Sequence, residues 1–155
     1  MATQWTGGMV SGAVLTAANL NTIGAVSEAY TPAWTSTGAA PAIGNGTLTG
    51  MYFRLNKLIV ARATWIAGGT TNFGGGGYRI SLPITSNLAN FLYGYAVYQD
   101  ASTFNSYMMA VTQISNTTVQ MSWNVGGINS VWGQATPIAM ANGDSCLMTF
   151  IYEAA

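Results

Sequence analysis

Val119-Gln120-Met121-Ser122-Trp123-Asn124-Val125 alternates apolar and polar side chains without a break. A period of two places Val119, Met121, Trp123 and Val125 on one face of a strand and the polar residues on the other. Ile59, Ala61, Ala63 and Trp65 share one face of a second strand. Its other face carries Leu58, Val60, Arg62, Thr64 and Ile66, so part of it is apolar on both sides. Such a strand is expected to be covered twice, between sheets or at a subunit contact. Cys146, Met148, Phe150 and Tyr152 line one face of the last strand, with Leu147 and Ile151 on the other.

Between these runs the chain is punctuated by Gly, Asn and Pro. Asn56 before Lys57 turns a hairpin, Gly74–Gly77 is a glycine loop, and Ser115-Asn116-Thr117 separates two alternating runs. Gly126-Gly127, Pro137 and Asn142-Gly143-Asp144 break the C-terminal third. Strands are expected near 30–36, 46–54, 57–67, 77–83, 92–100, 104–114, 117–125 and 145–152. Eight strands spaced about ten residues apart predict an all-β, antiparallel β-sandwich or jelly roll over residues 30–155. Residues 1–28 read differently. Thr16 is placed to cap a short helix over Ala17–Ile23, ended near Gly24. Two turns are marginal alone and need a surface to pack on. The segment is therefore read as an N-terminal docking arm with Trp5, Leu15, Leu20 and Ile23 as its anchors.

The 155 residues suit one domain, and half are apolar, enough for a core. Charge is the unusual quantity. Four basic residues, four acidic ones and no histidine make 5%, against about 25% in typical domains. Nineteen Thr, twelve Asn and eleven Ser can wet a surface without charge. Chains with no net charge also tend to associate. Zero net charge argues against a nucleic-acid binder. No apolar run approaches the roughly 18 residues of a membrane span. The N-terminus lacks the basic start of a secretory signal, and Cys146 is the single cysteine. The expectation is synthesis in a cytoplasm, with packing and strand pairing alone holding the fold.

Chemistry has few candidates. Without histidine the common general base and the usual transition-metal ligand are missing. The carboxylates are Glu28, Asp100, Asp144 and Glu153, and an enzyme would need folding to pair two of them. Asp100 and Asp144 are expected in solvated turns. Ser145 lacks the G-x-S-x-G elbow, and Cys146 reads as a buried structural thiol. Gly44-Asn45-Gly46-Thr47-Leu48-Thr49-Gly50 has no lysine and leads into a strand, which makes it a turn rather than a phosphate loop. Neither a cofactor nor a metal is expected. Arg54, Lys57 and Arg62 hold three of the four positive charges within one hairpin, a candidate contact for an acidic partner or a charge-guarded edge. Tyr93, Tyr95, Tyr98 and Tyr107 cluster along the chain as candidate sugar-stacking or interface aromatics.

Two stretches resemble tailed-bacteriophage virion proteins. Trp5-Thr6-Gly7-Gly8-Met9-Val10, followed by Leu15-Thr16-Ala17-Ala18-Asn19-Leu20-Asn21, is similar to the opening of small phage structural and minor tail proteins. Tyr30-Thr31-Pro32-Ala33-Trp34-Thr35, then Gly38 and Pro41-Ala42-Ile43-Gly44-Asn45-Gly46-Thr47-Leu48-Thr49-Gly50, resembles the entry into β-rich tail-fibre and decoration domains. The glycine-rich Phe73–Pro83 stretch is similar to that group too. The first two cover about the first third of the chain. The resemblance implies a virion surface role, commonly as a homotrimer of β-sandwich domains with an N-terminal segment docked on the particle. Long fibre shafts are absent from this chain, which favours a capsid decoration, a head fibre or a short tail appendage. The expected partners are other copies of the chain, a capsid or tail protein, and a host surface glycan. The alternative reading is a carbohydrate or receptor-binding module of a tail-fibre tip.

Overall fold

A computed structural model describes Val14, Ala17 and residues 27–87, 92–125 and 128–155. Ten strands form in chain order: β1 (Glu28–Tyr30), β2 (Trp34–Ser36), β3 (Thr47–Leu55), β4 (Leu58–Ile66), β5 (Tyr78–Ser81), β6 (Tyr93–Gln99), β7 (Ser106–Gln113), β8 (Thr118–Val125), β9 (Ile128–Val131) and β10 (Ser145–Glu153). They pair into one antiparallel sheet, ordered β1-β3-β4-β10-β6-β7-β8-β5-β2, with β9 added to β8. The all-β class holds, but the arrangement is one continuous curled sheet.

The expected first strand is two strands. Pro32 lacks the N–H a ladder needs, and the chain breaks between Tyr30 and Trp34. β1 pairs with β3, while β2 pairs with β5 near the other end of the sheet. β9, beyond the eight expected strands, pairs antiparallel with β8. The arm anchors Trp5, Leu15, Leu20 and Ile23 lie outside the described residues, as does all but the first residue of the helix expected over Ala17–Ile23.

Curling gives the sheet an inside. Ile59, Ala61, Ala63 and Trp65 of β4 sit beside Tyr152, Phe150, Met148 and Cys146 of β10, all buried. Ala96, Tyr98, Met109, Val111, Val119, Met121 and Ile80 continue that face. Trp34 on β2 meets Trp65 on β4 with ring centroids 5.3 Å apart, although five strands lie between them in the sheet order. Trp132 joins at 5.6 Å from Trp65 and 5.1 Å from Tyr78. This aromatic group closes one end of the half-barrel. Both terminal strands are three residues long, which gives other chains little backbone to pair with.

Phe150 fits because its cross-strand partners, Ala61 and Gly94, are small. A Cβ on Gly94 would lie 2.5 Å from the Thr149 carbonyl oxygen and 3.1 Å from Phe150 Cα. Backbone cannot yield as a side-chain tip does. Gly94→Ala is therefore expected to cost about 2–3 kcal/mol through overpacking, read by urea unfolding. A loss under about 0.5 kcal/mol, the usual size of an uneventful surface change, would refute the close packing there.

Candidate functional site

The outer face of the sheet follows from the same alternation. Met51 of β3, Arg62 of β4, Thr149 of β10 and Tyr95 of β6 are successive cross-strand partners and form one row. One row along, Phe53, Val60, Ile151 and Tyr93 do the same; on the other side stand Thr49, Thr64, Leu147 and Val97. Three shallow depressions meet on Thr149. The first, about 450 Å³, is lined by Thr49, Met51, Arg62, Thr64, Leu147 and Thr149 among others. A second of about 350 Å³ lies along Phe53, Val60 and Arg62. The third, about 220 Å³, runs between Tyr93, Tyr95 and Ile151.

Few of the chain's charges remain open. Tyr52 donates to Glu28 at 2.6 Å, and that bond, ahead of burial, raises the Tyr52 pKa. Lys57 lies 4.0 Å from Glu153. Arg54 donates through Nε to the Asn56 carbonyl at 2.7 Å. Asp100 accepts from the hydroxyls of Thr103 (2.5 Å) and Ser102 (2.7 Å), which hold its carboxyl below the usual range. Asp144 accepts from the Tyr98 hydroxyl, from the Ala101 N–H at 3.0 Å and from the Ala141 N–H at 2.7 Å. Among the described residues, Lys57 alone has a carboxylate within 4.0 Å, so Arg54, Arg62 and Arg79 have none. The Arg62 guanidinium only donates to the Met51 sulfur at 3.1 Å, a weak acceptor.

The two aspartates depart from expectation. Asp100 and Asp144 are buried, not solvated. Asp144 binds the N–H of the residue next to Asp100, so both carboxylates serve one loop cluster as acceptors. Asn45 locks the Gly44–Thr47 turn to the next loop, accepting from the Thr70 N–H at 2.9 Å. Burial pushes the Cys146 thiol up, away from the reactive thiolate. No cluster of three His, Cys, Asp or Glu that could hold a metal occurs among the described residues. No helix among them is long and apolar enough to cross a membrane.

The structure divides both sets of residues singled out from sequence. Arg62 stands in the middle of the outer face, Lys57 at the hairpin turn, and Arg54 pairs in register with inward-facing Ile59. The three cations do not make one patch. Tyr93 and Tyr95 point outward, 73% and 54% exposed, while Tyr98 is buried on the inner face. Tyr107 is half-buried, packing edge-on against Trp123 at 5.4 Å. The pair that remains, Tyr93 and Tyr95, lies two strands from Arg62, with only β10 between. Thr49, Thr64 and Thr149 carried no sequence signal; only cross-strand register gathers them around Arg62. No family model, curated protein or solved structure matches the chain.

Proposed function

We propose that this chain is a non-enzymatic structural protein of a bacteriophage virion surface, a capsid decoration, head fibre or short tail appendage, docked through residues 1–28 and assembled as a homotrimer. The phage context rests on the sequence resemblance over its first third. The observation that carries an assembly role is the outer face. Leu58, Tyr93, Tyr95, Met108, Leu147 and Ile151 are all exposed on it. Together they present on the order of 700 Å² across β4, β10, β6 and β7, with Arg62 and Thr149 set among them, near the ~800 Å² each partner gives a standard interface. A chain with no net charge offers little electrostatic resistance to self-contact. Several arms acting together would then add affinity for a particle by multivalency.

Light scattering on the full-length protein tests this. The expected mass is three times the 16.2 kDa of the chain. Met108, 62% exposed on β7, is the position to perturb: Met108→Asp is expected to shift the mass towards monomer with little change in unfolding midpoint. A monomeric wild-type protein would overturn the assembly reading.

A second reading, a carbohydrate or receptor-binding module, is favoured by one specific observation. Arg62 lacks a carboxylate partner on the same face as Tyr93 and Tyr95. Met108 is three strands from Arg62 in the sheet order, about 14 Å at ordinary strand spacing. Tyr93, Tyr95 and Ile151 border one depression and Leu147 another, so a contact between copies over the whole face would cover the site, and only one confined to the β7 side would leave it open.

A further inference from the structure

We propose that the depressions around Arg62 and Thr149 bind an acidic saccharide, a sugar bearing a carboxylate. The inference rests on the second reading above and names its ligand class.

Four polar groups line the larger depression, and among the described residues the one use of their hydrogen-bonding capacity is the weak bond from Arg62 to the Met51 sulfur. Arg62 presents its guanidinium fork, which matches a carboxylate in two parallel hydrogen bonds. Thr49, Thr64 and Thr149 line the same hollow, and among the described residues none of their hydroxyls has a hydrogen-bond partner. Each hydroxyl can donate or accept, as sugar hydroxyls also require. Met51 and Leu147 supply apolar wall. Across Thr149, the Tyr93 and Tyr95 rings border the adjoining depression and can take the C–H face of a second sugar ring. At about 450 Å³ and 220 Å³, the two hollows suit a short oligosaccharide.

Charge selects the acidic class over a neutral sugar. Asp100 and Asp144 are enclosed in loop hydrogen bonds, Glu28 accepts from Tyr52, and Glu153 lies beside Lys57 at the end of the face. None of them lines the first hollow. A second copy seated squarely on it would set one Arg62 against another, an arrangement buried charges resist. A ligand carboxylate completes the guanidinium without that cost.

The test uses full-length protein and two acidic probes, tri-galacturonate and sialyllactose, against their neutral counterparts, galactotriose and lactose, by calorimetry at low and moderate salt. The expected result is binding of at least one acidic probe, weaker at higher salt. Arg62→Gln should lose about tenfold or more, and Thr149→Val should weaken binding, both with unchanged mass and unfolding midpoint. Arg62→Lys, which keeps charge but not the fork, should fall between. Equal binding of acidic and neutral probes would overturn the acidic ligand and leave the sugar reading standing. Binding of neither would overturn both. Acidic binding untouched by Arg62→Gln and Thr149→Val would place the site elsewhere. A change of mass in Arg62→Gln, with no sugar bound, would make the face a contact between copies and overturn the proposal.

Discussion

Asp144→Ala is expected to lower stability by about 3–5 kcal/mol. Asp144 is 1% exposed and precedes β10 directly. Its carboxylate ties three pieces of chain: β6 through the Tyr98 hydroxyl, the turn after β6 through Ala101, and the turn before β10 through Ala141. Its carbonyl also accepts from Ala67 at 2.8 Å, just past the end of β4. Removing the carboxylate strands the Tyr98 hydroxyl and two N–H groups in a site short of replacement acceptors, and each such orphan costs about 1–3 kcal/mol. Asp144→Asn keeps an acceptor oxygen but turns an N–H₂ towards one of the donors, so an intermediate loss is expected. In thermal unfolding the alanine variant should fall by roughly 10 °C for a chain of this length. A loss below about 1 kcal/mol would show that the lock is replaceable by water.

Trp65→Ala should cost about as much, 3–5 kcal/mol by the usual range for large buried aromatics. Trp65 is fully buried and touches Trp34, Phe73 and Trp132 at centroid distances of 5.3, 6.3 and 5.6 Å. These contacts join strands far apart in the sheet order, so the effect should not stop at a cavity. Trp34 and Trp132 should become more accessible to acrylamide quenching, and near-UV circular dichroism should weaken, as the curl relaxes. Trp65→Phe keeps an edge-on ring and should lose less. If Trp65→Ala unfolds within about 1 kcal/mol of the native protein, the curl is held by strand twist rather than by this contact.

Much of the strand content is legible in the sequence, because a half-buried strand writes its period directly into side-chain polarity. β8 falls on Thr118–Val125, and β4 on Leu58–Ile66. The two-faced character of β4 is also visible, and the structure turns it into a buried inner face and an outer one where Leu58, Val60 and Ile66 flank Arg62 and Thr64. Which strands become neighbours is not legible. The alternation states on which face a residue lies but not beside whom, so β10 between β4 and β6 leaves no local trace, nor does one sheet in place of two. The site was half legible for the same reason. Arg62 and the tyrosines stand out by type, and parity along β6 separates Tyr93 and Tyr95 from Tyr98. The threonines from β3, β4 and β10 are ordinary strand residues until register assembles them. Asp100 and Asp144 sit amid turn residues, and short polar flanks look alike whether water or backbone N–H groups satisfy the carboxylate.

The central place of β10 has a kinetic meaning. Until it emerges, β4 and β6 have no strand to join them, and the chain exists as two unconnected half-sheets, each with an open hydrogen-bonding edge. Residues 145–153 must then pair with β4 partners about 79–95 positions earlier, and residues 145–151 with β6 partners about 46–58 positions earlier. Long closures of this kind slow folding. On the ribosome, synthesis must run past residue 153 before the sheet can zip shut, and the nascent halves are open to pairing with other nascent chains meanwhile.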